Sequence, residues 1–194
     1  MRLDRSALFI VPLPLRRAGA ALLLLVLALA GMPDRAAGST NRVDSREVKA
    51  VFLINFLSFA EWPAAKAVAP PARFTIAILG DPSFASIVER AAVGRSVNGR
   101  AIAVQAVETP EQAARAHLVF IAASHAHRLP AVLRALADAS VLTVGDTDGF
   151  AQEGVAINLY TFDNRVRIEV NGTAAARAGV KLSASLMRLA RIVE

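Results

Sequence analysis

Between residues 73 and 144, short apolar runs alternate with segments that carry helix signals, and this alternation limits the possible folds most. Each run has the length of a buried strand and is followed by turn residues. Strands separated by helices predict a mostly parallel sheet with helices on both faces. The sequence therefore predicts an α/β fold, with strands at Arg73–Leu79, Ile102–Val107, His117–Ala122 and Val141–Val144.

The connections between these strands begin with residues that cap helices. Ser83 is expected to cap a helix that ends near Ala92, and Ser124 one that ends near Ala137. Thr109-Pro110-Glu111-Gln112 combines a capping residue, a proline and an acidic residue in the order that starts a helix. These connections supply the helices that cover the predicted sheet.

The pattern changes after residue 150. Val155–Tyr160 and Val166–Val170 flank a polar turn, which predicts an antiparallel hairpin that extends one edge of the sheet. Ala174–Ala178 and Ser183–Ile192 are predicted to close the chain as helices. No repeat or low-complexity linker divides residues 39–194, so we expect them to form a single domain.

An aromatic helix is predicted ahead of the first strand. From Asn41 to Ala60, apolar residues recur every three or four positions, and Pro63 ends the pattern. The recurring positions are expected to face the core, with Asn55 among them hydrogen-bonded to a neighbouring loop. Trp62, at the helix exit, either locks the turn or faces a partner. The predicted buried stripe consists of Val48, Val51, Phe52, Asn55, Phe56 and Phe59.

Residues 1–38 are predicted to be a cleaved signal peptide. Arg16 and Arg17 precede an apolar run of 13 residues, Ala18–Ala30, whereas a helix needs about 20 to span a bilayer. Small residues follow the run; cleavage after Gly38 fits best, and cleavage after Ala30 is the alternative. An uncleaved membrane anchor is the other interpretation. We expect residues 39–194 to be exported.

The basic charge of the chain does not indicate a nucleic-acid-binding protein. Five of the 22 basic residues and two of the 16 acidic residues lie within residues 1–38, so residues 39–194 carry a net charge of only +3. The remaining Lys and Arg are scattered along the chain. Phosphate backbones are bound by concentrated positive charge, so we predict no nucleic-acid partner.

The residues that carry chemistry form no recognisable catalytic set. The chain has no Cys, which excludes a thiol nucleophile, a disulfide scaffold and Cys-ligated zinc or iron–sulfur clusters. Phosphate-binding glycine motifs are absent, and Ser124 lies outside a G-x-S-x-G elbow. Asp146-Thr147-Asp148-Gly149 resembles the start of a calcium loop, but the residues after it lack the required spacing. We predict no catalytic residues, metal or cofactor.

Polar residues nevertheless follow three of the predicted strands. Asp81, Ser124 and Asp146 each come just after an apolar run. In open α/β sheets, ligands bind beyond the carboxyl ends of the strands. One hypothesis for function is therefore a domain that senses a small molecule through a cleft at these residues.

The aromatic segment resembles the start of the mature domain in the YfiR family. Lys49-Ala50-Val51-Phe52-Leu53-Ile54-Asn55-Phe56-Leu57-Ser58-Phe59-Ala60-Glu61-Trp62-Pro63 fits the family pattern K-A-x-F-L-x-N-F-x-x-F-x-x-W-P. The resemblance covers residues 46–193. Its further pieces include Ile78-Leu79-Gly80-Asp81, Val97-Asn98-Gly99-Arg100, Val141-Leu142-Thr143-Val144-Gly145-Asp146 and Asn164-Arg165-Val166-Arg167-Ile168-Glu169-Val170-Asn171.

The resemblance implies a non-enzymatic periplasmic regulator. Its named member represses an inner-membrane diguanylate cyclase by binding the periplasmic part of that enzyme. An outer-membrane lipoprotein relieves the repression, and family members tend to form homodimers. The absence of Cys from this chain excludes thiol-based redox control. From the motif we expect Phe59, Glu61 and Trp62 to contact the partner.

Overall fold

A computed structural model describes residues 37–63 and 73–194, with side chains from residue 45 onward. The predicted signal peptide falls outside these residues except at its last two positions. The helices are α1 (Ala37–Phe59), α2 (Pro82–Ala92), α3 (Pro110–Ala113), a 3₁₀ helix (Ala123–Arg128), α4 (Leu129–Leu136), α5 (Gly172–Arg177) and α6 (Ala184–Leu189). The strands are β1 (Ala60–Glu61), β2 (Arg73–Leu79), β3 (Ser96–Val97), β4 (Arg100–Val107), β5 (Leu118–Ile121), β6 (Leu142–Gly145), β7 (Ile157–Phe162), β8 (Arg165–Asn171), β9 (Lys181–Leu182) and β10 (Arg191–Val193).

The main sheet contains eight of these strands in the order β10-β8-β7-β6-β5-β2-β4-β3. The five strands from β7 to β4 run parallel to one another, and β7 and β8 form an antiparallel hairpin. The prediction of an α/β fold with a mostly parallel sheet is confirmed. The two-residue strands β1 and β9 form a separate antiparallel pair.

Two apolar clusters cover the two faces of the sheet. On one face, Ile76, Phe120 and other strand residues pack with helices α1, α2, α5 and α6. On the other face, Leu79, Ile121 and their neighbours pack with α3, α4 and the loop at Phe150. Because the central strands bury both faces, they form continuous apolar runs, which is the pattern that predicted them.

The buried face of α1 differs from the predicted stripe. Leu53 and Leu57 are fully buried, whereas Asn55 is exposed and Val48 is 43% exposed. Phe56 is also fully buried. The prediction that Asn55 is buried and hydrogen-bonded is therefore wrong. Residues 50–57 are apolar on two adjacent sides of the helix, so spacing alone could not decide which side faces the sheet.

Three other local predictions are corrected by the structure. Asp81, not Ser83, caps α2, because its side chain accepts a hydrogen bond from the Phe84 N–H. Ser124 lies inside the 3₁₀ helix and caps nothing. The segment predicted as a last helix through Ile192 divides into α6 and the edge strand β10, which pairs with β8.

The hairpin is formed as predicted, although it is not the outermost element. Asp163 and Asn164 have φ values of +49° and +59°, which is the geometry of a two-residue hairpin turn, and these residue types tolerate it. The pairing runs from Ile157↔Val170 to Phe162↔Arg165. Strand β10 then lies outside β8 and forms the edge of the sheet.

Substitutions on α1 test which of its sides is buried. Leu53→Ala should lower the free energy of unfolding by about 2–5 kcal/mol, because it leaves a cavity in a fully buried site. Asn55→Ala should change it by less than about 0.5 kcal/mol, because that side chain is exposed. Urea denaturation of both variants measures the difference. Equal losses for the two variants would contradict this orientation of α1.

Candidate functional site

Asp81, Ser124 and Asp146 lie at one end of the sheet. They follow β2, β5 and β6, which are neighbours and parallel, so all three stand beyond the carboxyl ends of adjacent strands. Helix α1 runs across this end with its residues Arg46 and Lys49. The predicted cleft residues therefore share one edge of the sheet with two cations.

Asp81 is held by three groups. Its Oδ1 accepts hydrogen bonds from the Ser83 hydroxyl at 2.7 Å and the Phe84 N–H at 2.9 Å, and Arg46 lies 3.1 Å from Oδ2. Burial alone would raise the pKa of Asp81, but these hydrogen bonds and the Arg46 charge outweigh it, so the pKa lies below its ordinary value of 3.8. The carboxylate is thus ionised and already engaged within the chain.

Asp146 makes the second link to α1. Its Oδ2 lies 2.8 Å from the Lys49 Nζ, and both side chains are partly buried. In the following turn, the Thr147 hydroxyl is buried without a hydrogen-bond partner among the described residues. In residues 37–63 and 73–194, no three His, Asp or Glu side chains come close enough to hold a metal ion.

Ser124 forms a small polar cluster with its neighbour. Its hydroxyl donates to the Gly80 carbonyl at 3.0 Å and lies 3.1 Å from the His125 Nδ1. The side chains of the adjacent residues Ser124 and His125 thus lie within hydrogen-bond distance of each other. Burial lowers the pKa of His125, with help from the charges of Arg128 and His127. Because the hydroxyl proton is directed to a carbonyl, the geometry is that of a loop tie rather than of an activated nucleophile.

Phe59, Glu61 and Trp62 lie at the opposite end of the sheet. Trp62 donates from Nε1 to the carbonyl of His117, the residue that precedes β5, at 3.0 Å. Its ring is half-buried and packs at 5.6 Å from the rings of both Phe74 and His117. Glu61 is exposed, and Phe59 is partly buried. Trp62 is therefore an anchor of the helix exit with one side still accessible.

An apolar surface stripe continues from this exit along α1. Val48, Val51, Phe52 and Asn55 line a shallow groove of about 480 Å³ together with Glu47. The Phe52 ring stacks on the buried Phe56 at 6.0 Å, which fixes its position. The spacing of these residues identified the stripe, but it was assigned to the core. We call Val48, Val51, Phe52, Asn55 and Phe59 the outer stripe.

A buried polar cluster near the C-terminus carried no signal in the sequence. Glu169 is 2% exposed and pairs with Arg191 of the edge strand β10. Its other carboxylate oxygen accepts a hydrogen bond from the Asn158 amide at 3.3 Å. Arg191 also lies 5.2 Å above the Tyr160 ring. This cluster fixes β10 to the hairpin.

A sequence profile of the YfiR/HmsC-like family matches residues 46–191, which include α1 from Arg46 onward, the strand-end residues and the hairpin. The chain belongs to the YfiR/HmsC-like family. The profile begins at Arg46, the α1 residue that pairs with Asp81. The resemblance found in the sequence is thereby confirmed, and membership of this family implies a periplasmic regulator.

A solved structure with low sequence identity supports the fold. A conserved domain protein from Vibrio cholerae O1 biovar El Tor is 12% identical over 67% of this chain and 57% of that one, with a TM-score of 0.50. An ABC domain in complex with L-Trp from Streptococcus pneumonia has a TM-score of 0.46 and is 12% identical, over 64% of this chain and 56% of that one. A ligand-free, open substrate-binding protein with adhesive properties from Clostridium difficile has a TM-score of 0.47 and is 11% identical, over 68% of this chain and 57% of that one. The chain spans a little over half the length of each.

The described helices show no membrane span. None in residues 37–63 and 73–194 is long and apolar enough to cross a bilayer.

Acid stability tests the role of Asp81. The pKa of Asp81 in the folded state lies below its ordinary value, so the ionised carboxylate stabilises the fold. This stabilisation is complete above about pH 4 and disappears as the pH falls through the folded-state pKa. Asp81→Asn keeps a capping side chain but no charge, so its stability should fall less on acidification than that of the wild type. Asp81→Ala loses the cap as well, which costs about 0.5–2 kcal/mol at neutral pH. Thermal melts between pH 3 and 7 measure both effects; parallel pH profiles for wild type and Asp81→Asn would contradict the assignment.

Two glycine substitutions test how closely the side chain of His125 packs against Gly80. Both Gly80 and Gly94 have positive φ, so replacement by Ala strains the backbone at either site, by about 1–2 kcal/mol. At Gly80 the new Cβ would also clash with the side chains of His125 and Ser124, whereas at Gly94 nothing lies within 4 Å. Gly80→Ala should therefore be less stable than Gly94→Ala by about 1–3 kcal/mol in chemical denaturation. Equal losses would show that His125 moves aside freely.

Proposed function

We propose that this protein represses an inner-membrane diguanylate cyclase by binding the periplasmic part of that enzyme. Membership of the YfiR/HmsC-like family supports a periplasmic regulator. The observation that carries the proposal beyond the family is the outer stripe, a mostly apolar row on α1 whose side chains are exposed or only partly buried. Apolar stripes of this kind pack against partner helices or sheets.

The partner surface extends from the outer stripe to the helix exit. Phe59 lies about three turns beyond Val48 and two turns beyond Phe52 on the same side of α1, since the positions differ by 11 and 7 residues. Glu61 follows and is exposed, so it supplies a charge at the end of an apolar surface. Trp62 adds the accessible side of its ring. Aromatic side chains with a charged rim are typical of binding hot spots.

The surface is preorganised, which favours binding. The inner side of α1 is buried in the core, and two polar contacts tie the helix to the sheet: the Lys49–Asp146 ion pair near its middle and the Trp62 hydrogen bond just beyond its last residue. A fixed helix loses little conformational entropy when a partner docks on it. Binding would stabilise an inactive state of the cyclase by the difference in affinity for its two states. A competitor, such as an outer-membrane lipoprotein, would relieve repression by covering the same surface.

The alternative function, a periplasmic small-molecule sensor, involves the other end of the sheet. There Asp81 and Asp146 are paired with Arg46 and Lys49. A ligand recognised by these carboxylates would have to displace the cations. A metabolite that raises the melting temperature saturably without changing cyclic-di-GMP would favour this alternative.

Reversal of the charge at the helix exit tests the proposed surface. Glu61→Arg should release repression and raise cyclic-di-GMP in the native host, because it changes the rim of the partner surface. The free energy of unfolding should fall by less than about 1 kcal/mol, since Glu61 is exposed and the new Arg meets only Lys181 across the short β1–β9 pair. Glu89→Arg, an equally exposed reversal on α2, is the control and should repress normally. A fluorescent cyclic-di-GMP reporter in a strain that lacks the chromosomal gene provides the measurement.

Two further variants separate binding from folding. Val48→Asp should also release repression, whereas Val93→Asp, at a site that is 76% exposed and outside the stripe, should not. Trp62→Ala should release repression but also lower the melting temperature, because the ring packs on Phe74 and His117. Normal repression by both Glu61→Arg and Val48→Asp would exclude this surface. An unchanged cyclic-di-GMP level on deletion of the gene would exclude the repressor function itself.

A further inference from the structure

One edge of the main sheet is long and has little cover. On its inner side β4 pairs with β2 along seven consecutive positions, from Arg73↔Ala101 to Leu79↔Val107. On its outer side it pairs with β3 only at Arg100 and Ala101. From Ile102 to Val107 the outer side of β4 has no strand partner within residues 37–63 and 73–194. Alternate residues there direct backbone N–H and C=O groups outward.

This edge lacks the features that protect edges from pairing. Residues 101–107 contain no charge and no Pro, and their register with β2 is unbroken, so there is no bulge. The opposite edge is different: β10 has three residues and begins with Arg191, and the part of β8 beyond it contains Arg165 and Arg167. Of the two edges, therefore, only the one formed by β10 is protected from pairing with another strand, by its charged residues and by its short length.

Apolar side chains along β4 are incompletely covered. Ile102 and Val104 face the cluster that contains α2, yet both are only partly buried. Ile87 and Ala91, on the adjoining side of α2, are also partly buried. A further strand beside β4 would remove these side chains from water.

The charges at the two ends of β4 favour an antiparallel partner strand. Basic residues Arg95 and Arg100 lie at the start of the strand, and acidic residues Glu108 and Glu111 follow its end. Both acidic side chains and Arg95 are exposed. If two copies of β4 lie antiparallel, the acidic end of each meets the basic end of the other, whereas a parallel arrangement places like charges together.

We propose that β4 pairs antiparallel with β4 of a second copy about a twofold axis, so that the two sheets join into one. A strand that meets its own copy about a twofold presents the same edge on both sides, and the uncharged residues 101–107 give no like-charge repulsion at the centre. The interface rests on β4 and its flanks and is independent of the proposed repression surface on α1.

Single cysteines test the interface, because the natural chain has none. Ala101→Cys, Ala103→Cys and Gln105→Cys place a thiol at alternate positions on one face of β4. In the exported protein purified from the periplasm, mild oxidation should give a disulfide-linked dimer most efficiently at one of the three positions, the one beside the axis. Gln152→Cys, an exposed site in the loop after β6, is the control and should stay monomeric.

Sedimentation of cysteine-free variants tests whether the same edge holds the natural dimer. The wild type should sediment as a dimer, and Ala103→Lys should weaken dimerisation roughly tenfold, because it places two like charges across the axis. Circular dichroism checks that Ala103→Lys is folded. If this variant is unfolded, the disulfide crosslinking pattern of the cysteine variants tests the interface instead. A monomeric wild type, or a dimer that crosslinks at Gln152→Cys and at none of the β4 positions, would overturn the proposal. The proposal would also be overturned if Ala103→Lys stays folded and dimerises as tightly as the wild type.

Discussion

The packing of α1 across one face of the sheet is the constraint on which the other features depend. Its inner side buries Leu53 and Leu57 completely, and this close packing sets the position of the helix on the sheet. Two polar contacts on either side of these residues hold the same position. Lys49 pairs with Asp146 at the carboxyl ends of the strands, and Trp62 donates to the His117 carbonyl at the amino end of β5. The outer stripe therefore has a fixed position relative to the sheet.

The strands and the hairpin could be predicted because their signals are local. A central parallel strand such as Arg73–Leu79 is buried on both faces, so its sequence is continuously apolar. Asp163 and Asn164 mark a tight turn by residue type. The orientation of α1 could not be predicted in this way, because Leu53 and Phe52 lie on adjacent sides and both are apolar. Which side faces the sheet depends on contacts with strands far along the chain.

The candidate sites show the same division between local and distant signals. The cap that Asp81 forms on α2 involves only residues within three positions of it, so local sequence indicated the start of this helix, although it indicated Ser83 as the capping residue. The ion-pair partner of Asp81, Arg46, is 35 residues away, and the partner of Asp146 is 97 residues away. Glu169 lies in an apolar strand, and its cation Arg191 comes from a segment that the sequence indicated to be helical. No spacing rule connects such residues, so their pairing appears only in the folded chain.

The ion pairs at the strand ends also connect the two functional hypotheses. A ligand that used Asp81 or Asp146 would have to release Arg46 or Lys49 from its carboxylate. Both cations lie near the middle of α1, beside Val48 and within two turns of Phe52. Releasing them would loosen one end of the outer stripe and weaken whatever binds there. By reciprocity, a partner docked on α1 would hold those cations in place and lower the affinity for the ligand by the same factor. Sensing at the strand ends and regulation through α1 would then be opposing events at a single helix.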